Sequence, residues 1–126
     1  MIVNVKGLIV MDSRVQTERE KMRPVIMKIV ETIARKLKPQ KIVLFGSFAY
    51  GEPDEQSDID LLIVMKTNDP FHKRWAKVCW VVRDIRKGIP FSPFVLTPEE
   101  LEERLRIGDP FFQEIERRGE VLYAKR

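Results

Sequence analysis

Apolar positions along the 126 residues follow two different periods. Between about Glu18 and Leu37, the residues Ile26, Ile29, Val30, Ile33 and Leu37 recur at spacings of three and four, which predicts an amphipathic helix. Thr17 followed by Glu20 has the form of a capping box, whereas Pro24 prefers a first helical turn, so the pattern leaves the start of this helix open by several residues. Two short apolar runs follow, Lys41 to Phe45 ended by Gly46, and Asp58 to Met65. Both predict buried strands. A second helix is expected between Asp69-Pro70, read as N-cap and first-turn proline, and Gly88, with Trp75, Val78, Cys79, Val82 and Ile85 as its apolar stripe. Phe91 to Leu96 predicts a third strand, and Pro93 places it at an edge, at a bulge or near its own beginning. Thr97-Pro98-Glu99-Glu100 combines an N-cap, a first-turn proline and a capping-box glutamate. Asp109-Pro110 repeats the cap-plus-proline signal, Gly119 closes that helix, and Val121 to Tyr123 predicts a last short strand. Ile2 to Met11 reads as a strand or an ordered arm. With no internal repeat and no Gly/Ser linker, residues 1–126 are expected to form one domain of α/β or α+β class, a sheet covered by helices.

Composition narrows the class. Lys and Arg number 23 against 19 Asp and Glu, a net charge of +4 that is too small by itself to argue for nucleic acid. The charge is unevenly placed: residues 51–70 carry six acidic side chains and one basic, while residues 71–98 carry six basic and one acidic. The longest uncharged apolar stretches, such as Ile42 to Ala49, fall short of the ~20 residues that a bilayer span needs. The N-terminus has no basic segment followed by a sustained apolar one, so no secretory signal is visible. The single Cys79 can form neither an internal disulfide nor a Cys-rich zinc site, and a reducing cytoplasm is the expected location.

The chemistry concentrates in residues 45–61. Side chains alternate along a strand, so Asp58 and Asp60 share one face and Ile59 and Leu61 take the other. Two carboxylates held that close repel unless a cation lies between them. Magnesium suits the pair, because it binds through one or two carboxylates plus substrate phosphates. Gly46-Ser47 supplies the place for those phosphates. A glycine after a strand lets the backbone approach a ligand, the serine offers a hydroxyl, and a helix start presents free N–H groups to an anion.

This conjunction resembles the signature of the nucleotidyltransferase superfamily that includes DNA polymerase beta, and more closely its minimal nucleotidyltransferases. The family pattern, a Gly-Ser pair, about ten residues including a glycine, then Ser-Asp-x-Asp-Leu, reads here as Gly46, Ser47, Gly51, Ser57, Asp58, Asp60 and Leu61. The resemblance implies a mixed sheet flanked by helices and transfer of a nucleoside monophosphate from a nucleoside triphosphate to a hydroxyl, with pyrophosphate released. It implies two magnesium ions with Asp58 and Asp60 as their ligands, Ser47 and the Gly46 backbone on the terminal phosphates, and ATP as the substrate. Minimal members are often encoded beside a helical HEPN-domain protein with which they form a toxin–antitoxin pair, so the acceptor hydroxyl is expected on such a partner. A homo-oligomer fits the resemblance as well, and neither a membrane nor nucleic acid is required. The family's third carboxylate falls on or near Ser92, and no Asp or Glu lies between Asp84 and Glu99. That departure motivates a second reading, a binding module that keeps the fold and neutralises its partner by contact. A third, a transferase acting on an aminoglycoside-like hydroxyl, usually needs a further substrate domain.

Other residues read as scaffold. Glu52, Asp54 and Glu55 are expected in a solvated turn and Asp84 on a helix surface. His72 lies at a helix start, Cys79 and Trp75 in the apolar stripe, and Lys73, Lys77, Trp80 and Lys87 along an exposed face. Tyr50 and Trp80 are expected to pack, and Phe111 and Phe112 to bury against the sheet.

Overall fold

The computed structural model describes the backbone of residues 2–5, 8–11 and 13–126, and the side chains from Glu18 onward. Strands β1 (Ile2–Val5) and β2 (Leu8–Met11) pair antiparallel as a separate two-stranded sheet. Helix α1 (Ser13–Leu37) begins upstream of both starts suggested by the sequence and runs through Pro24. Pro24 sits on the exposed side of that helix, and four turns of apolar packing beyond it outweigh the one ladder bond it removes. The Thr17 side chain, and with it the Thr17–Glu20 capping box, lies outside the described residues.

The second sheet is the body of the molecule. It contains β3 (Lys41–Phe45), β4 (Ile59–Val64), β5 (Phe91–Leu96) and β6 (Glu120–Ala124) in the order β5-β4-β3-β6. β3 is antiparallel to both β4 and β6, and β4 is parallel to β5, which makes the sheet mixed. The parallel pair needs a crossover. That crossover is α3 (Phe71–Val81) with the short α4 (Arg83–Arg86), broken at Val82 where one continuous helix was expected. Pro93 lies in β5, at the sheet's edge, where its missing donor costs no ladder bond.

Alternation along the central strands divides the core in two. Ile42, Leu44, Ile59, Leu61 and Ile63 face α1, against Ile26, Ile29, Val30 and Ile33, together with Val78 and Val82. Val43, Phe45, Leu62, Val64 and Leu96 face α5 (Pro98–Arg106) and α6 (Pro110–Arg118), which supply Leu101, Phe112 and Ile115. Full burial of each such aliphatic chain contributes about 1.5–3 kcal/mol. The predicted caps of these two helices are present: Thr97 and Glu100 form a reciprocal capping box, and the Asp109 side chain accepts from the Phe111 N–H.

Three expectations fail on the surface helices. Pro70, not Asp69, occupies the cap position of α3, and the Asp69 carboxylate instead lies 3.3 Å from the Lys77 ammonium. Trp75 is 54% exposed, and its expected place is taken by Arg74, only 8% exposed. The guanidinium can be buried because it is satisfied: Nε donates to the Asp69 carbonyl at 2.7 Å, and Nη1 to the Val95 carbonyl at 3.3 Å and to Glu100 Oε1 at 2.6 Å. Phe112 is buried as expected, but Phe111 is 48% exposed.

Candidate functional site

The end of β3 and the start of β4 bring the four predicted site residues together. Phe45 is the register partner of Asp60 across the antiparallel pair, so Gly46 leaves the strand beside the Asp60 carboxylate. Gly46 adopts φ +73 and ψ −153, a region populated almost exclusively by glycine. A Cβ placed on Gly46 would overlap Asp60 Oδ2 and lie 3.1 Å from its Cγ. The glycine therefore serves the close approach read from the sequence and also an unusual turn that the sequence reading did not name. The partner in that approach is the chain's own carboxylate.

Gly46 caps the four-residue helix α2 (Ser47–Tyr50), and its carbonyl accepts from the N–H groups of Ala49 and Tyr50, each at 3.0 Å. Ser47 thus occupies the first helical position, where the backbone N–H has no intrahelical acceptor. A Cβ on Gly51 would come 2.7 Å from the Ser47 Cα, so the turn that leaves α2 folds back onto Ser47. Two distant arginines hold this turn. Arg19 of α1 donates to the carbonyls of Phe48 (2.8 Å), Ala49 (3.3 Å) and Gly51, and Arg118 of α6 donates to that of Tyr50 at 3.4 Å while lying over the Tyr50 ring. The last carbonyls of α2 are capped by these side chains, a role that no local motif announces because the partners lie 29 to 68 residues apart.

Asp58 precedes β4 and is exposed, whereas Asp60 lies in β4 and is half-buried. Burial first, and repulsion from Asp58 second, push the Asp60 carboxyl up to about 6. Ser92 is the register partner of Asp60 on β5, and its hydroxyl donates to Asp58 Oδ2 at 2.8 Å. The position at which the family pattern carries a third carboxylate is therefore adjacent to the pair, filled by a neutral donor. Among the described residues, no group of three or more His, Cys, Asp and Glu side chains is arranged to hold a metal. The donor set fits an ion shared with substrate oxygens, since two hard carboxylates, one already resisting ionisation, gain from a divalent cation that phosphates then complete.

The remaining candidates stay apart from this chemistry. Asp54 is used by its own turn, where its Oδ1 accepts from the Gln56 N–H at 2.8 Å, and Glu52 and Glu55 are exposed. His72 and Asp84 are exposed on α3 and α4, and Cys79 is half-buried, its thiol pushed up by burial. Trp80 is on an exposed face, as expected, and packs beneath the Arg83 guanidinium. A concavity of about 700 Å³ is lined by Lys41, Val64 and Lys125 at the opposite end of the sheet from Asp60. No helix among the described residues is long and apolar enough to cross a membrane.

The family model of the nucleotidyltransferase domain matches residues 26–118. Over 66 aligned residues the chain is 44% identical to a Methanocaldococcus jannaschii protein named as a candidate protein adenylyltransferase; the alignment covers 48% of this chain and 43% of that relative. The match thus spans less than half the relative's length.

Proposed function

The chain belongs to the nucleotidyltransferase domain family, and on that premise we propose that it transfers AMP from ATP, with magnesium, to a hydroxyl on a protein. In the reaction, the acceptor oxygen bonds to the α-phosphorus and the bond to the β-phosphate oxygen breaks, releasing pyrophosphate and the hydroxyl proton. Asp58 and Asp60 would hold magnesium, whose contribution is to neutralise phosphate charge and make the acceptor hydroxyl more acidic. The Ser47 hydroxyl and the free N–H groups at the start of α2 would hold the terminal phosphates, and the chain's own share of the rate would be positioning and charge complementarity. The observation that carries this reading is the contact between Gly46 and Asp60, because it makes the phosphate turn and the carboxylates one site. The name of the Methanocaldococcus relative supports AMP as the group transferred and a protein as the acceptor. By the resemblance to minimal nucleotidyltransferases, that acceptor is a HEPN-domain toxin and this chain its antitoxin.

Calorimetric titration with ATP tests the site. Binding that requires magnesium and is lost in the Asp58→Asn, Asp60→Asn variant is expected; binding indifferent to both contradicts the proposal.

Ser92 favours a second reading, a fold that binds and neutralises its partner without catalysis, since a hydroxyl is a poor magnesium ligand. On that reading, the double Asn variant protects against the toxin as well as the wild type does.

A further inference from the structure

Four phenyl rings lie on the carboxylates' own face of the sheet. Phe45 is the residue before Gly46 and the register partner of Asp60, and its ring meets that of Phe111 edge-on at 5.6 Å between centroids. Phe111 stacks edge-on with Phe112 at 5.0 Å and lies 6.3 Å from Phe94. Phe94, two residues beyond Ser92 on β5, is the register partner of Leu62. Phe94 therefore stands one same-face step along the strands from Asp60, about 7 Å, and one strand across, about 4.8 Å. Phe45 and Phe112 are buried, whereas Phe94 and Phe111 remain 40% and 48% exposed. A core needs the first two rings covered and gives no reason for leaving the other two open, one of them a single same-face step from Asp60. The exposed rings, 6.3 Å apart, form an open aromatic shelf that the buried Phe45 ring links to the turn at Gly46.

We propose that Phe94 and Phe111 form the platform on which the base of the nucleotide stacks. The proposal rests on the nucleotidyl-transfer reading and adds the subsite that this reading lacks. With terminal phosphates at Ser47 and the α-phosphate at Asp58 and Asp60, the ribose spans the step from Asp60 to the shelf, and the base lies against Phe94 and Phe111. Every base offers a π-face, so a phenyl shelf without hydrogen-bonding groups selects by stacking area and favours purines over pyrimidines. Stacking on side chains of this kind is sensitive to their removal even where no hydrogen bond is made.

The test compares wild type with Phe111→Leu and with the Phe94→Leu, Phe111→Leu variant, which keep apolar volume but remove the π-faces. Each is titrated with ATP, with CTP and with inorganic tripolyphosphate, all with magnesium. ATP is expected to bind the double variant about tenfold more weakly and to lose its preference over CTP, while tripolyphosphate, which has no base, binds within about twofold of wild type and reports an intact fold and phosphate turn. Unchanged ATP affinity in the double variant overturns the proposal. If that variant binds ATP normally but no longer modifies the acceptor protein, the rings belong to the acceptor and the proposal is likewise overturned. Failure of wild type to bind either ATP or tripolyphosphate overturns the nucleotide reading beneath it.

Discussion

Replacing Gly46 by alanine separates the conformational demand of the phosphate turn from its approach to Asp60. The backbone at φ +73, ψ −153 is essentially closed to residues with a Cβ, and holding alanine there costs about 1–3 kcal/mol. The new methyl also overlaps Asp60 Oδ2. That oxygen is the end of a side chain, so the carboxylate can turn away at a cost of about 1 kcal/mol for leaving its rotamer. The turn removes it from the face it shares with Asp58. For a domain of this size 1 kcal/mol lowers Tm by about 4 °C, so the combined cost of about 2–4 kcal/mol should make Gly46→Ala melt about 8–16 °C below wild type. In an Asp60→Ala background the nearest remaining atom is the residue-60 Cβ at 3.4 Å, an ordinary contact. There the same substitution should cost about 1 kcal/mol less, leaving the backbone part. Thermal unfolding of the four proteins gives both numbers, and titration with magnesium and ATP shows whether the displaced carboxylate matters to binding. A Tm within about 1 °C of wild type would refute the turn conformation. Normal magnesium-dependent ATP binding by a destabilised Gly46→Ala would refute the shared site.

Ser92→Asp places a third carboxylate beside Asp58 and Asp60. Without metal it should lower Tm through like-charge repulsion, and with millimolar magnesium the loss should reverse, with metal affinity rising about tenfold; a loss that magnesium does not touch would count against the pair as a metal site. Because Asp60 is pushed up to about 6, the folded state holds that proton more tightly than the unfolded chain does. Metal-free stability should therefore fall as pH rises from about 4 through about 6. Asp60→Asn should gain in Tm over wild type across that window, and a pH-independent difference would show that Asp60 titrates normally. Magnesium affinity should weaken about tenfold per pH unit below 6, because the proton competes for the same oxygens. Arg74→Met leaves the half-buried carbonyl of Asp69 and the buried one of Val95 without their donor and Glu100 without its counter-charge. It should cost about 3 kcal/mol in urea unfolding, whereas Arg83→Met on the surface should cost under 1.

The central strands and the caps at Thr97 and Asp109 were legible because each rests on residues adjacent in sequence, whereas Pro93 left β5 an edge, a bulge or a strand start until the strand order settled it. Asp58, Asp60, Gly46 and Ser47 were legible as types at a spacing. Their convergence depends on the antiparallel register that sets Phe45 opposite Asp60. The apolar stripe of α3 misled because spacings of three and four admit both 74-78-82 and 75-78-82. The choice fell to Arg74, whose guanidinium finds acceptors on the 67–69 turn, β5 and α5. Arg19 and Arg118 escaped for the same reason, since the carbonyls they cap belong to a helix 29 or more residues away.

AMP transfer is measured most directly by intact mass spectrometry of a HEPN-domain protein, the proposed acceptor, after incubation with this protein, ATP and magnesium, run beside the Asp58→Asn, Asp60→Asn variant. A gain of one or more AMP units on that protein is expected with wild type alone. A stable complex of the two proteins with no gain in mass would contradict AMP transfer.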